Sequence, residues 1–298
     1  MSTVSRTTHP ELFPLYYERK LLEYVKANLV ALKFGQKRSL PANSGRTIEF
    51  YRANPKPVIT TPITDQPTPQ ATALPNLTPI QVTVQEYGDS IDLYEFADLT
   101  SFVPLVDYAT DILADQAQRS LDTIAMNELV SGTNVLYAGG VNARSELTGT
   151  QKLSKTEIRK AVNLLQRENI PPFEDGYYVC LIHPDKILDL FTDSELLQLA
   201  SANMSAFEKG FVGQFAGVKF YVSTTLPTVS NGGTPPATVY QTLVLGKDAY
   251  GIVDLDGTSL RMVQTNVDRL GRVKTLGWKA YFAIKRLYEP AIVRVESN

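Results

Sequence analysis

The alternation of apolar and polar residues predicts two strands, which open and close one unusual stretch of the chain, residues 46–88. Residues 46–50 and 82–87 follow the two-residue period of strands with one apolar and one polar face. Between them, residues 55–79 contain seven prolines, many threonines and very few charged side chains. Because proline fixes φ and lacks a backbone donor, neither a helix nor a central strand can form there.

The composition of this stretch predicts an extended arm that packs outside its own domain. A connection of this length is uncommon in a compact domain unless it is functional or disordered. Disordered linkers carry more charge and fewer apolar side chains than residues 55–79, which include Ile59 and Leu74. We therefore expect residues 46–50 and 82–87 to form an ordered two-stranded root of the arm, and residues 55–79 to form its irregular tip.

The region before the arm has the period of an amphipathic helix, predicted over residues 12–34 and ending at Gly35. This region is basic, and its cations are Arg19, Lys20, Lys26, Lys33, Lys37 and Arg38. The cations have two interpretations: a solvated face that also favours a helix C-terminus, or contact with nucleic acid or an acidic neighbour. The first is favoured, because six charges over twenty residues form only a modest cluster.

The longest helical pattern in the chain covers residues 104–130, with Pro104 in the first helical position. Asp107, Asp111 and Asp115 recur every four residues on one face of this helix. A metal site or acid/base chemistry would need partner residues, and none stand at matching spacing. The favoured interpretation is an acidic, solvated face that complements the helix N-terminus.

The second half of the chain mixes helices and strands. A helix is predicted over residues 153–169, where Ser154 and Glu157 have the spacing of a capping box. The continuous apolar run of residues 177–182 is typical of a buried strand. Further predicted elements are a helix from residue 184, a helical segment at 195–203, and strands at 89–98, 218–222, 239–245, 259–264 and, in two parts, 278–295. Such a strand-rich end predicts that the C-terminus returns to pair with the first domain.

Composition narrows the classes of protein that remain. The chain has 298 residues, 43% hydrophobic and 20% charged, with a net charge of −2. These values suit one large or two modest globular domains and give no global field that favours nucleic acid or a membrane. A lone cysteine, Cys180, excludes an internal disulfide framework. No signal-peptide core or bilayer-length apolar run is present, so we expect a soluble protein that is intracellular at synthesis.

The common catalytic constellations are missing from the sequence. The two histidines, His9 and His183, and the single Cys180 have no zinc-ligand spacing, and His183 is interpreted as a boundary residue of a strand. There is no phosphate-binding glycine loop and no nucleophile elbow. The sequence therefore predicts no catalytic, cofactor or metal site, and together with the arm it favours a structural or interaction protein.

The order and spacing of these parts resemble the major capsid proteins of tailed phages, which have the Hong Kong 97 fold. The likeness is greatest to the branch typified by coliphage N-four. The residues that carry the resemblance are 45–50 entering the arm, 84–88 leaving it, 104–129 in the long helix, 178–184 in the second domain and 271–284 near the C-terminus. The resemblance implies an α+β fold divided into an N-terminal arm (1–34), an E-loop (35–88), a P-domain with a spine helix (89–170 and 258–298) and an A-domain (171–257).

The resemblance also implies a function and a set of partners. The chain is expected to self-assemble, as hexamers and pentamers, into an icosahedral shell around the double-stranded DNA of a tailed phage, without sequence-specific DNA binding and without a membrane. It is expected in the virion after synthesis in the host cytoplasm. A portal, a decoration protein and a scaffolding protein are expected partners. The scaffold is expected to be a separate protein or to be absent, because only about thirty-five residues precede the arm.

The predicted contact residues fall into two sets. The E-loop set, expected to contact a neighbouring subunit, is Arg46, Phe50, Arg52, Lys56, Pro57, Ile59, Ile63, Pro67, Leu74 and Leu77. The N-arm set, expected to contact a neighbour or DNA, is Arg19, Lys20, Lys26, Lys33, Lys37 and Arg38. Lys56 is the only lysine of the arm, and nothing in the sequence selects a crosslinking partner for it.

Two alternatives stay open at the level of sequence. An encapsulin-like cargo compartment uses the same fold, and packaged enzyme rather than packaged DNA would distinguish it. A cytoplasmic enzyme with an unrecognised site, using Asp107, Asp111 and Asp115, is the more distant alternative.

Overall fold

The computed structural model describes residues 30–41, 43–52, 56–60, 62, 73–191, 211–234, 236–255, 260–268 and 270–298. The helix predicted over residues 12–34 lies outside these residues as far as residue 29, and the helical segment at 195–203 lies outside them entirely.

Four α-helices and fourteen strands are present in the described residues. The helices are α1 (Glu95–Thr100), α2 (Leu105–Val130), α3 (Lys155–Arg167) and α4 (Pro184–Phe191). The strands are β1 (Gln36–Leu40), β2 (Thr47–Arg52), β3 (Thr78–Thr83), β4 (Gln85–Tyr94), β5 (Val135–Tyr137), β6 (Tyr178–Ile182), β7 (Phe211–Phe215), β8 (Val218–Val222), β9 (Thr228–Val229), β10 (Val239–Leu245), β11 (Tyr250–Leu255), β12 (Leu260–Asn266), β13 (Val273–Arg286) and β14 (Ile292–Ser297).

A seven-stranded sheet forms one half of the core, in the order β5-β14-β10-β6-β8-β7 with β9 beside β10. Every residue of β6 is buried, which confirms the strand predicted from its apolar run. Helix α3 packs on β14 and β10. The Ser154 hydroxyl caps this helix by accepting from the Thr156 N–H at 3.2 Å, so the predicted N-cap is confirmed. Glu157 meets Ser154 through a hydrogen bond between the two side chains, in place of the backbone bonds of a capping box.

A five-stranded sheet forms the other half, built around the long strand β13. Strand β4 pairs antiparallel with β13, β12 and β11 also pair with it, and β1 runs parallel to β11. The long helix α2 packs on β13 through a buried apolar face that includes Leu113 and Leu121. The predicted long helix is thus confirmed, but Pro104 is its N-cap, with ψ 103°, rather than its first helical residue. The Asp98 carboxylate accepts the first helical N–H, that of Leu105, at 3.2 Å.

The arm begins in a two-stranded hairpin formed by β2 and β3, in register from Thr47 opposite Thr83 to Arg52 opposite Thr78. The predicted root is therefore present. However, the chain that returns from the tip divides into β3 and β4 at Val84, whereas the sequence predicted a single strand that ends before Gly88. Strand β4 runs through Gly88, and the segment predicted as a second strand over 89–98 divides between β4 and α1.

The sequence signal at Gly88 resembles a turn, which explains the error. In the structure Gly88 lies opposite Lys279 in the β4–β13 pair. A Cβ at this position would stand 2.6 Å from the Trp278 carbonyl oxygen, so glycine permits a close approach of two strands there.

Strand β1 was not predicted, because its sequence QKRSL is short and polar. Lys37 and Arg38 lie on this exposed edge strand, where cations discourage further strand pairing. Sheet membership also crosses the predicted domain division. Strands β5 and β14 pair in the sheet of β6 and β10, and β11 pairs with β13. The division itself stays a prediction.

Candidate subunit interface

The root of the arm is fixed to its own subunit by a small apolar cluster. Phe50 on β2 is 2% exposed and packs with Val82 of β3, Leu40 of β1 and Val253 of β11. A Cβ at Gly251 would lie 2.6 Å from the Phe50 ring, so the ring rests directly on the β11 backbone. Such contacts supply the packing that an isolated two-stranded hairpin lacks.

Two arginines brace the same root. The Arg38 guanidinium lies 4.7 Å from the Phe50 ring centroid, and its Nη1 donates to the Glu49 carbonyl oxygen at 3.3 Å. The Arg52 guanidinium lies 3.3 Å from the centroid of the Tyr288 ring. Cation–π contacts of this kind are worth roughly 0.5–1 kcal/mol at exposed sites. These contacts of Arg38 and Arg52 are therefore within their own subunit.

The predicted role of Phe50 as an inter-subunit contact has to be corrected. At 2% exposure it offers almost no surface to a neighbour, so its role is to position the hairpin. The sequence pattern could not reveal this. The two-residue period of a strand is the same whether its apolar face packs on its own core or on another chain.

The outer face of the root is a polar ladder between β2 and β3. The Thr47 and Thr83 hydroxyls lie 3.1 Å apart, and Gln81 Nε2 donates to Glu49 Oε1 at 2.8 Å. The Tyr51 hydroxyl donates to Glu49 Oε2 at 2.5 Å. The Tyr51 bond, followed by that from Gln81, holds the pKa of Glu49 below its usual value, so this face carries a negative charge at neutral pH.

Beyond the root, the described residues of the tip expose large apolar side chains. Val58 is 88% exposed, Ile59 81%, Leu74 82% and Leu77 52%. These residues belong to neither helix nor strand. The exposure of several large apolar side chains on one arm is unusual for a monomeric protein. Arg46, Lys56 and Pro57 are also exposed, whereas Ile63 and Pro67 lie outside the described residues.

A second exposed apolar surface lies around helix α1, and sequence reasoning missed it. We call it the α1 surface, and its residues are Tyr94, Phe96, Leu99, Phe102, Val103 and Tyr108. Phe102 is fully exposed, and Arg272 and Val273 complete a shallow concavity beside Phe96 and Leu99. The available signal was a run of large apolar residues without helical or strand period.

The N-arm set is only partly described. Lys33 and Lys37 are exposed, Arg38 braces the hairpin root, and Arg19, Lys20 and Lys26 lie outside the described residues. The roles predicted for Lys33 and Lys37 stay predictions.

The side chains that were considered for catalysis or metal binding make contacts that stabilise the fold. Asp115 pairs with Arg119 at 2.5 Å on the surface of α2. Cys180 is buried in β6, and this burial raises the pKa of its thiol. His183 Nδ1 accepts the Asp185 N–H at 3.3 Å at the start of α4, which agrees with the boundary role predicted for it.

The described part of the chain has neither a metal-binding cluster nor a helix that could span a membrane. No group of three or more histidine, cysteine, aspartate or glutamate side chains there could hold a metal ion. No helix among the same residues has both the length and the apolar character needed to cross a bilayer.

The two-sheet fold with its long helix and projecting hairpin is that of shell-forming capsid proteins. It is similar to the capsid of Ralstonia phage GP4, with a TM-score of 0.72, 15% identity and coverage of 88% of this chain and 86% of that chain. It is also similar to the capsid of cyanophage P-SCSP1u, with a TM-score of 0.65, 14% identity and coverage of 89% and 86%. The encapsulin of Synechococcus elongatus PCC 7942 matches at a TM-score of 0.60, with 10% identity and coverage of 89% and 85%.

Identities this low establish the shared Hong Kong 97 fold and nothing finer. No curated protein sequence matches the chain. The family model described as phage capsid protein matches residues 77–295. The chain therefore belongs to the phage capsid protein family, and it is a major capsid protein: a structural protein of the virion shell, not an enzyme, that assembles into an oligomeric capsid.

Proposed function

We propose that this capsid protein holds its shell together through the tip of the arm, which lies on a neighbouring subunit. The observation that carries the proposal is the contrast along one hairpin. Phe50 and Val82 in the root are buried, whereas Val58, Ile59 and Leu74 farther out are more than four-fifths exposed. A root held rigidly by its own subunit can present an apolar tip at a fixed place.

The energetics favour such a contact. Burying a valine, leucine or isoleucine side chain is worth about 1.5–3 kcal/mol. The prolines of the tip restrict the free arm, so ordering it against a neighbour costs less entropy than ordering a glycine linker. A closed shell repeats the contact in every subunit, so contacts that are weak singly become persistent together.

The α1 surface is the second proposed contact between subunits. Its apolar residues extend from the end of β4 to the start of α2, and Phe102 is fully exposed in the described part of the chain. Exposed large apolar side chains that lie together in this way are typical of a surface that contacts another protein.

The finer assembly follows from the resemblance and from charge. We infer hexamers and pentamers in an icosahedral shell that encloses the double-stranded DNA of a tailed phage, a portal, a separate scaffolding protein and a decoration protein, after synthesis in the host cytoplasm. A net charge of −2 supports enclosure of DNA without tight binding. The N-four type branch and the division into N-terminal arm, E-loop, P-domain and A-domain belong to the same proposal.

The experiment that tests the arm changes only its exposed apolar side chains. Val58, Ile59, Leu74 and Leu77 are replaced together by serine. Because these positions are exposed, we expect the isolated subunit to unfold at a free energy close to that of the unmodified chain. Shell yield, measured by light scattering and electron microscopy under conditions where the unmodified chain assembles, should fall strongly.

The matched control keeps the same positions apolar, as Val58→Ile, Ile59→Val, Leu74→Met and Leu77→Met, and should assemble. Removal of residues 55–77, which keeps all of β3 and is bridged by a short glycine–serine turn, should give a folded subunit that fails to assemble. Normal shells from the serine variant or from the deletion would show that the tip does not join subunits.

A further inference from the structure

Ala31, which is fully buried, is held at both of its backbone polar groups by buried side chains. Its N–H donates to Asp122 Oδ1 at 3.2 Å, from the middle of α2. Its carbonyl oxygen accepts a hydrogen bond from the Tyr250 hydroxyl, at the start of β11. Residue 31 is therefore clamped between the long helix and the five-stranded sheet.

The same carboxylate also holds a loop of the other sheet. Asp122 Oδ2 accepts from the Ser223 hydroxyl at 3.2 Å and from the Thr225 hydroxyl. These two residues directly follow β8 in the seven-stranded sheet, and their hydroxyls lie 2.7 Å apart. One carboxylate thus joins residue 31, the long helix and the loop after β8.

Asp122 is an unusual choice for this place. It is 4% exposed on the apolar face of α2, and no lysine, arginine or histidine among the described residues pairs with it. A buried carboxylate is costly unless hydrogen bonds satisfy it. Here three donors do so, and the Ala31 N–H would otherwise be buried without a partner, at a cost of about 1–3 kcal/mol. The acceptor capacity of Asp122 accounts for its position.

We propose that Asp122 and Tyr250 form a buried anchor that fixes where the N-terminal segment, residues 1–29, joins the subunit body. The shared carboxylate couples this junction to the loop at residues 223–225. Its two oxygens are rigidly connected, so freeing one side lets the carboxylate turn and weakens the hydrogen bond on the other. Coupling of this kind acts equally in both directions.

The test measures hydrogen–deuterium exchange on purified, unassembled full-length subunits, so its outcome does not depend on the contact proposed for the arm. Thr225→Val removes one hydroxyl at nearly constant volume. Loss of one hydrogen bond should speed exchange at residues 30–34 by about fivefold, although residue 225 lies far from them in sequence. The matched control is Thr123→Val, next to Asp122 on the exposed side of α2, which should leave that exchange unchanged.

Three further variants separate the two sides of the anchor. Tyr250→Phe removes the hydroxyl that donates to the Ala31 carbonyl and accepts from the Phe34 N–H, so it should speed exchange at residues 30–34. Asp122→Asn should speed exchange at residues 30–34 less than Asp122→Leu does. The amide oxygen of asparagine still accepts from the Ala31 N–H, and its NH₂ group can donate to the serine and threonine hydroxyls, which accept as well as donate.

Exchange in the buried strand β6 reports whether a variant loosens the whole subunit. The proposal is overturned if Thr225→Val changes exchange only around residues 223–229 and leaves residues 30–34 at the original rate. It is equally overturned if Tyr250→Phe leaves residues 30–34 unchanged. These two hydroxyl deletions decide the matter even if Asp122→Leu does not fold.

Discussion

The Phe50 ring packs so closely on Gly251 that any side chain at residue 251 would have to displace it. A Cβ at residue 251 would stand 2.6 Å from the ring, well inside van der Waals contact. This relationship joins the root of the arm to strand β11 and therefore sets the direction in which the tip leaves the subunit.

Gly251→Ala should destabilise the subunit by about 1–3 kcal/mol, because the added methyl group must displace the Phe50 ring or the β2 backbone. The free energy of unfolding, measured with urea, gives the size of the effect. Shell yield should fall as well, since a displaced root redirects the tip.

The control is Gly149→Ala, at a position with no atom within 4 Å of the new Cβ, which should change stability by less than about 0.5 kcal/mol. The double variant Phe50→Leu/Gly251→Ala tests the contact itself. It should be more stable than the sum of the two single changes predicts. Strict additivity would mean that the ring and the glycine do not interact.

The elements with strong period were predictable from sequence. Helix α2, strand β6 and the Ser154 cap each combine a local signal with the packing that the fold demands. The existence of the hairpin root was predictable, but the point at which its second strand ends was not. Val82 and Val84 continue one alternating pattern across the point where the partner strand changes from β2 to β13.

The missed features depend on contacts that are distant in sequence. In the sequence, Asp122 is only one polar residue on a predicted helix. Its contacts with Ala31 and Thr225 form only when the chain folds. Strand β1 has a polar sequence because it lies at a sheet edge. The α1 surface has no period, since its residues face away from their own core.

The α1 surface gives a prediction about assembly without a change in stability. Phe96→Ser and Phe102→Ser remove exposed rings, so the free energy of unfolding of the isolated subunit should change by less than about 0.5 kcal/mol. Shell yield should nevertheless fall, because the rings would be buried against a neighbour. The controls Phe96→Leu and Phe102→Leu keep apolar area and should assemble better than the serine variants. Equal yields from serine and leucine variants would remove this surface from the interface.

The Ser154 cap makes a simple stability prediction. Ser154→Ala removes the hydroxyl that accepts from Thr156, and the unfolding free energy should fall by about 1 kcal/mol. Ser154→Asp keeps an acceptor at the N-cap but faces the Glu157 carboxylate, so it should recover only part of the loss. Full stability in Ser154→Ala would mean that the helix end is satisfied in another way.

The buried pair of Arg144 and Glu296 predicts a pH-dependent contribution to stability. Arg144 Nε donates to Glu296 Oε2 at 2.6 Å and Nη2 to Oε1 at 2.5 Å, linking the loop after β5 to the C-terminal strand. Burial alone would raise the pKa of Glu296, but the hydrogen bonds and charge of Arg144, together with the charge of Arg294, outweigh it and hold the pKa below 4.5. The stabilisation is therefore fully present above pH 4.5 and is lost as the pH falls through the lower folded-state pKa.

Glu296→Gln removes the charge and leaves Arg144 with a weaker partner, so at neutral pH it should lower the unfolding free energy by about 2 kcal/mol. This is below the 3–5 kcal/mol typical of breaking a fully buried pair, because the Arg144 side chain is one-third exposed and partly screened. Urea unfolding across a series of pH values should show the difference between the two proteins shrinking below pH 4.5. Asp115→Asn, which breaks an exposed pair on α2, is the control and should cost less than about 1 kcal/mol. A difference for Glu296→Gln that is constant down to the lowest pH at which both proteins fold would assign its effect to shape and not to charge.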